Sequence, residues 1–231
     1  PRWQFFAPWS PAAGMVALIH FTCALIEKDL RWRAIGLAAA FLIILLCQSR
    51  LALVALLLIT PAFYLSRQLW NPALWFGAAA TILAGALFFD PLVYFIETAV
   101  DEFRGVRAAS SRVRETLARI AIDRWWSEAP WFGHGIVERG PHLVEYMPIG
   151  SHHSWYGLLF VKGGLGLLAL AVPMAMSLFA TLQGALKGKK QALSFALIST
   201  LFLYSFGENL EILSYLYWPA LSVFGAGFQK D

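Results

Sequence analysis

The sequence predicts an all-α protein, a polytopic transmembrane helix bundle with a helical loop on one side of the membrane. Of its 231 residues, 59% are hydrophobic and only 14% are charged, whereas a soluble domain of this size has about 25% charged residues. The apolar residues also fall into long blocks. A helix that crosses the hydrocarbon core needs about 20 such residues, within a range of about 17–25.

Seven apolar segments are candidate spans: 11–26, 33–48, 51–65, 73–90, 164–183, 191–207 and 211–228. The third is the weakest, because it is short and contains Pro61. We therefore expect three regions along the chain. Residues 1–90 would hold about four spans, 91–153 a loop with amphipathic helices, and 154–231 about three spans.

The loop region 91–153 carries seven arginines and eight acidic residues. Within it, the segment 111–126 predicts an amphipathic helix, since apolar residues recur at helical spacing and charged residues face away. Its apolar face consists of Val113, Leu117, Ile120 and Ala121. Ser110 or Ser111 would cap its start, and the helix could lie on the bilayer surface. The segment 92–103 has a similar pattern.

The distribution of lysine and arginine predicts the orientation in the membrane, because short basic loops stay cytoplasmic. With seven spans, the basic turns at 27–33, 66–72 and 184–190 all fall on one side. The other, external side then receives the 48–50 turn, the long loop and the 207–210 turn. The sequence therefore gathers Arg50, the loop arginines and Glu208 at one membrane face.

The net charge and the cysteines exclude some classes of function. The formal charge of +4 is too small and too scattered to indicate nucleic-acid binding. Cys23 and Cys47 both lie inside apolar runs. Neither has the spacing of a metal or redox motif, so both are interpreted as small buried apolar residues.

Three arginines are candidates for an anion site. Arg50 lies between two apolar runs, where it could simply reach the lipid head groups. Alternatively, its guanidinium could form paired hydrogen bonds with phosphate. Arg112 and Arg114 follow two serines in the loop, where they form either a solvated helix face or part of the same anion site.

The turn Pro130-Trp131-Phe132-Gly133-His134-Gly135 is a second candidate. Gly133 and Gly135 would allow backbone amides to approach an anion closely, although many loops contain such a pair of glycines. Glu208 and Asn209 lie in the last external turn. There Glu208 is either an ordinary loop residue or a substrate-binding group.

His152 and His153 precede the fifth span and are followed by Ser154. A metal site is disfavoured because no further ligands occur at the usual spacing. The histidines are then either structural and hydrogen-bonded, or a general base with a pKa near neutral pH. His153 would begin a short helix, 153–162, whose N-terminus disfavours the protonated ring and keeps it neutral.

Taken in order, these elements resemble the O-antigen ligase and O-antigen polymerase superfamily. The resemblance is carried by Ser49-Arg50 between two spans and by serine-arginine early in a long loop. It continues with Pro130-x-x-Gly133-x-Gly135, and closes on His153-Ser154 followed after nine residues by Gly164. Members usually have further spans before this region, so we expect the chain to be a C-terminal portion.

The resemblance implies a glycosyltransferase of the bacterial inner membrane that needs no metal or cofactor and works at the periplasmic face. The donor would be a glycan on undecaprenyl pyrophosphate, and the acceptor the lipid A core or a growing polysaccharide. It implies that His153 and Arg50 are catalytic. The substrate-binding residues would be Arg112, Arg114, Gly133, Gly135, His152, Ser154 and Glu208.

Three questions stay open at this point. The longer spacing to Pro130 means that either Arg112 or Arg114 is the matching arginine. A transporter or flippase of lipid-linked sugars would use the same arginines to bind pyrophosphate, but it would not need a base at His153. A structural membrane subunit would explain the spans but not the charged loop.

Overall fold

The computed structural model describes residues 2–66, 68, 71–87 and 108–226, and no β-strand forms among them. Eight α-helices lie in this part of the chain: α1 Ser10–Ala24, α2 Leu30–Cys47, α3 Arg50–Leu65, α4 Pro72–Leu87, α5 Ala108–Glu128, α6 Ser154–Ala185, α7 Lys189–Ser205 and α8 Ser214–Ala226. A single 3₁₀ turn spans His142–Val144. The predicted all-helical class is confirmed for these residues.

Each predicted span contains one of these helices, but the helices differ in length. Only α2 and α6, among the described residues, are long and apolar enough to cross a membrane. The helices α1 and α3 are apolar but shorter. Residues 88–90 and 227–228, at the ends of two predicted spans, lie outside the described residues.

The main core is built around α7, which packs against α1, α3, α6 and α8. Alanines line the close approaches: Ala12 and Ala13 on α1, Ala52 and Ala55 on α3, and Ala192 and Ala196 on α7 are all buried. Small side chains let helix backbones come near to one another. A side chain in place of Gly14 would meet Ala52 at 2.8 Å, so α1 and α3 are in tight contact.

Two helix starts are fixed by side-chain caps. Asp29 accepts a hydrogen bond from the Arg31 backbone N–H at 2.8 Å and so begins α2. Ser49 accepts one from the Ala52 N–H at 3.2 Å and begins α3. Such caps satisfy backbone donors that have no partner inside the helix. The second cap places Arg50 at the first position of α3.

The loop helix α5 confirms the predicted amphipathic pattern. Its Leu117 and Ala121 are buried in a second small core with Val144, Ile149 and Phe160. The charged face, from Arg112 to Asp123, is exposed. The apolar face of α5 therefore packs on its own protein, which leaves it unavailable to the bilayer surface.

Two further expectations about this region have different outcomes. Because α5 already includes Ala108, Ser110 and Ser111 lie inside the helix and not at its start, so the expected cap was wrong. The segment 92–103, predicted to be a second amphipathic helix, lies outside the described residues.

A break at Gly163 divides α6 into a short segment, residues 154–162, and a long one, residues 164–185. Gly163 has φ 66° and ψ −166°, a conformation that favours glycine. In an unbroken helix, the N–H groups of Gly164 and Leu165 would bond to the carbonyls of Phe160 and Val161. The expected short helix before the fifth span is thus present.

The loop that follows α5 replaces the hydrogen bonds lost at this break. The Gly164 N–H donates to the Pro130 carbonyl at 2.8 Å, and the Leu165 N–H donates to the Trp131 carbonyl at 3.2 Å. In return, the His134 and Gly135 N–H groups donate to the carbonyls of Phe160 and Val161, both at 2.9 Å. Four backbone hydrogen bonds between the loop and α6 therefore replace the two helical hydrogen bonds that are lost at the break.

Candidate active site

The candidate site lies where the start of α6 meets the turn between α7 and α8. His153 is the N-cap residue of α6, with extended backbone angles. Ser154 follows it, and its hydroxyl donates to the Glu208 carbonyl at 2.8 Å and accepts from the Leu210 N–H at 2.9 Å. This pair of bonds holds His153 beside the 206–210 turn.

The His153 ring is held by aromatic side chains. It stacks on Tyr156, with the ring centroids 4.1 Å apart, and meets the edge of Phe206 at 5.7 Å. Its Nδ1 atom is buried without a hydrogen-bond partner. Burial lowers the pKa of His153 from 6.5 to about 4, because an apolar environment disfavours the charged ring. The ring is therefore neutral at pH 7, and burial is the cause.

His152 points toward different neighbours. Its Nε2 lies 3.5 Å from the Met147 sulfur. Burial lowers the pKa of His152, and the positive charge of Arg114 lowers it further. Like charges disfavour each other at short range, so Arg114 on α5 lies close to this histidine.

Glu208 is a buried carboxylate in the α7–α8 turn, with only 4% of its surface exposed. Its Oε2 accepts a hydrogen bond from Trp9 Nε1 at 2.9 Å. Burial raises the pKa of Glu208, and the Trp9 hydrogen bond and the charge of Arg114 act against that rise. The positive charge of Arg114 therefore acts on both Glu208 and His152.

Arg50 lies next to the same turn. A side chain in place of Gly207 would meet Leu51 Cδ2 at 2.6 Å, so the start of α3 touches the α7–α8 turn. Arg50 is half-buried. Arg112, which shares α5 with Arg114, is exposed, and among the described residues the pKa shifts of His152 and Glu208 single out Arg114 as their neighbouring cation.

Gly133 and Gly135 have positive φ angles of 69° and 73°. A side chain at Gly133 would overlap the backbone of Val161, Lys162 and Gly163. The N–H groups of Gly133 and Gly135 already donate to the carbonyls of Ala129 and Val161. An anion could reach these amides only if those bonds opened, so the glycines observed here serve the contact between loop and helix.

Trp9, Tyr156 and Phe206 are site residues that the sequence did not single out. Trp9 could be interpreted only as an interfacial aromatic residue, yet it is hydrogen-bonded to a carboxylate 199 positions away. Tyr156 lies three residues after His153, a spacing that places two helical side chains on one face. That spacing was the feature of the sequence that could have predicted the stacking of His153 on Tyr156.

An apolar groove of about 390 Å³ opens beside the site, between α6, α7 and α8. Leu158, Met174, Leu201, Tyr217 and Phe224 line its length. Polar groups near the Glu208 turn also line it, including Ser154 and the ion pair between Lys162 Nζ and Glu211 Oε1 at 2.6 Å. The groove therefore combines an apolar interior with polar lining groups that include an ion pair.

Within the described residues, no three side chains of His, Cys, Asp or Glu come together as a metal ion would require. A charged cluster elsewhere in the loop is internally paired. Arg124 bonds to Glu128 and to Glu138, and His134 Nε2 lies 2.8 Å from Glu128 Oε2. Arg124 lowers the pKa of Glu128 to about 2, as expected for a carboxylate held by a guanidinium.

A family model described as O-antigen ligase matches residues 35–172. No curated protein sequence matches the chain. The matched segment contains Arg50, Arg114, His153 and both glycine motifs of the loop and of α6. Because this family model covers more than half of the chain, the chain belongs to the O-antigen ligase family, whose members are membrane-embedded and carry out glycosyl transfer of the ligase or polymerase type.

Proposed function

We propose that the protein transfers a glycan from undecaprenyl pyrophosphate to a saccharide acceptor. The observation that carries the proposal is a buried histidine, His153, held through Ser154 against a turn that the start of α3, where Arg50 lies, also touches. The charge of Arg114 acts on Glu208 in the same turn. A phosphate leaving group needs fixed cations, and an attacking hydroxyl needs a base. The family match supports the same class of reaction.

In this reaction, an acceptor hydroxyl oxygen forms a bond to the anomeric carbon of the donor sugar. The bond between that carbon and the pyrophosphate oxygen breaks, and His153 takes the hydroxyl proton. Arg50 and Arg114 stabilise the charge on the departing pyrophosphate through planar, paired hydrogen bonds. Arg112, His152, Ser154 and Glu208 bind the substrates, and Gly133 and Gly135 hold the loop against α6. The chemistry as proposed uses no metal ion.

The acceptor is a sugar of the lipid A core if the protein is a ligase, or a repeat unit if it is a polymerase. Both reactions use the same donor and the same base. The groove between α6, α7 and α8 would take part of the isoprenoid chain of the donor, since its interior is apolar and Ser154, the residue after His153, lines it.

The membrane arrangement is part of the proposal. The chain would be a multi-pass protein of the inner membrane, with residues 1–90 and 154–231 forming spans and 91–153 a periplasmic domain. The basic turns, such as 184–190, would then be cytoplasmic. Reporter fusions at Lys189 and Glu138 test this arrangement, because they should report opposite sides of the membrane.

A transfer assay tests the function. The purified protein is incubated with a lipid-pyrophosphate glycan and separately with core and repeat-unit acceptors, and the product is resolved by mass spectrometry. We expect an elongated acceptor and free undecaprenyl pyrophosphate with the wild type, and neither with His153→Ala. Movement of the intact lipid-linked glycan across vesicle membranes, without a transferred product, would indicate a transporter and contradict the proposal.

A further inference from the structure

The loop after α5 is joined to α6 at a defined depth. From Gly164 to the end of α6 at Ala185 there are 22 residues. At 1.5 Å per residue this is about 33 Å, close to the roughly 30 Å thickness of the hydrocarbon core. The break at Gly163 therefore lies at one boundary of the hydrocarbon core, and Lys187 follows at the other.

The long segment of α6 presents an apolar face along its whole length. Leu168, Val172, Met176 and Phe179 are all exposed and follow helical spacing. An exposed apolar stripe on a helix long enough to span a membrane is the surface that lipid chains cover. This stripe begins immediately after the break that the loop occupies.

The loop itself exposes large apolar side chains beside that boundary. Trp131, Phe132, Ile136 and Val137 are between 62% and 77% exposed. The carbonyl of Trp131 accepts from Leu165, and the N–H of Gly135 donates to Val161. These bonds fix the exposed side chains at the level where α6 enters the hydrocarbon core, and tryptophan is enriched at that level in membrane proteins.

We propose that residues 131–137 form a membrane anchor, inserted into the head-group region of the bilayer. The occupant of this surface is lipid, since the apolar stripe of α6 continues it and Ile136 and Val137 offer no polar group to a saccharide. The anchor holds the loop and α5 against the membrane. The inference is independent of the transfer reaction, because it concerns the surface alone.

Site-directed fluorescence tests the anchor. Cys23→Ala and Cys47→Ala remove the native thiols, and Phe132→Cys then carries an environment-sensitive fluorophore. The protein is reconstituted in phosphatidylethanolamine and phosphatidylglycerol vesicles that contain lipids with a nitroxide near the head group. We expect the nitroxide lipids to quench the probe at 132, and aqueous iodide to leave it largely unquenched.

Arg119→Cys is the matched control, because Arg119 is exposed on the charged face of α5. A probe there should be quenched by iodide and not by the lipid nitroxide. Ile136→Cys provides a second anchor position in case the label at 132 disturbs folding, and it should behave like 132. Iodide quenching at 132 and 136 equal to that at 119 would overturn the proposal. Protection of 132 by added saccharide in detergent, without lipid, would also overturn it.

Gly163→Ala tests the connection between the anchor and the helix. A side chain at Gly163 would overlap the backbone of Trp131 and Gly133, and its positive φ disfavours any other residue. The substitution should detach the loop and reduce lipid quenching at 132. Gly77→Ala on α4 is the control, since nothing lies within 4 Å of the added carbon, and it should leave the quenching unchanged. Unchanged quenching in Gly163→Ala would refute the proposed attachment.

Discussion

Ser154 donates a hydrogen bond to the backbone carbonyl of Glu208 at 2.8 Å and so ties the residue after the candidate base to the α7–α8 turn. The same hydroxyl accepts from the Leu210 N–H. Glu208 and Leu210 are both buried. One hydroxyl therefore satisfies two backbone groups that water does not reach, and it fixes where His153 stands.

Ser154→Ala should reduce stability by about 1–3 kcal/mol, because it leaves buried backbone groups without partners. Thermal unfolding in detergent measures this. Ser151→Ala is the matched control: the Ser151 hydroxyl is buried with no hydrogen-bond partner, so its removal should be neutral or stabilising. Equal losses in the two variants would show that the Ser154 bonds contribute little.

His153→Ala should reduce turnover by about 10²–10⁴-fold, the usual effect of losing a general base. His152→Ala should be milder, since His152 contacts Met147 and belongs to the binding set. Binding of the lipid pyrophosphate should persist in His153→Ala and is measured by ligand-dependent thermal shift. If His153→Ala kept full activity and His152→Ala were inactive, His152 and not His153 would be the general base.

The pH dependence of transfer should show different pKa values of His153 in the free enzyme and in the enzyme with bound donor. In the free protein, burial lowers the pKa of His153 to about 4, so the ring gains a proton only as the pH falls toward that value. The acid limb of kcat/KM should therefore lie well below pH 6.5. A bound pyrophosphate favours the charged ring and raises its pKa, so the acid limb of kcat should lie at higher pH than that of kcat/KM. Coincident limbs near pH 6.5 would contradict a buried base.

Arg114→Gln should impair transfer more than Arg112→Gln does. Arg114 lowers the pKa of His152 and opposes the burial-driven rise at Glu208, whereas Arg112 has neither effect among the described residues. In Arg114→Gln the pKa of His152 should rise, because a nearby positive charge has been removed. Histidine titration by NMR reads this shift directly. If the pKa of His152 rose in Arg112→Gln and not in Arg114→Gln, Arg112 would be the arginine that acts on His152.

At pH 7, Glu208→Gln should be more stable than the wild type. The pKa of Glu208 is raised above its ordinary value of 4.5, with burial as the main cause. The wild type therefore loses stability as the pH rises from 4.5 through the folded-state pKa, and glutamine removes that dependence. The glutamine oxygen still accepts the Trp9 hydrogen bond, and Trp9→Phe, which removes the donor, is the comparison. If Glu208→Gln were less stable than the wild type at pH 7, the Glu208 carboxylate would instead be stabilised by a positive charge in the folded protein.

Local patterns predicted much of the fold. The apolar spacing of Leu117 and Ala121 predicted α5 and its buried face, because one helical period repeats over several turns. The start of α5 was placed a few residues late, since Ser110 and Ser111 suit a cap and also tolerate the first turn of a helix. A short helix 153–162 and a span 164–183 were predicted on either side of Gly163. The positive φ of Gly163 and the bonds from the loop were not predicted, because a glycine inside an apolar run equally suits close helix packing.

The site was predictable in its residues but not in its contacts. His153, Ser154 and Glu208 stood out because polar groups at the ends of apolar segments are few. Their hydrogen bonds could not be predicted from the sequence, because the Ser154–Glu208 and Trp9–Glu208 bonds join residues that are 54 and 199 positions apart. The glycines of the loop suggested a phosphate cradle, and only the structure showed that their amides are already engaged, Gly133 with the Ala129 carbonyl and Gly135 with the Val161 carbonyl of α6.

The exchange of hydrogen bonds between the loop and α6 sets a strict register between two segments of the chain. Pro130 and Trp131 accept from Gly164 and Leu165, and the N–H groups of His134 and Gly135 donate to Phe160 and Val161. Four peptide groups within six residues of the loop therefore each meet one particular peptide group of the helix. A single residue added between Trp131 and His134 would shift one half of this set against the other, so the loop could no longer keep all four bonds.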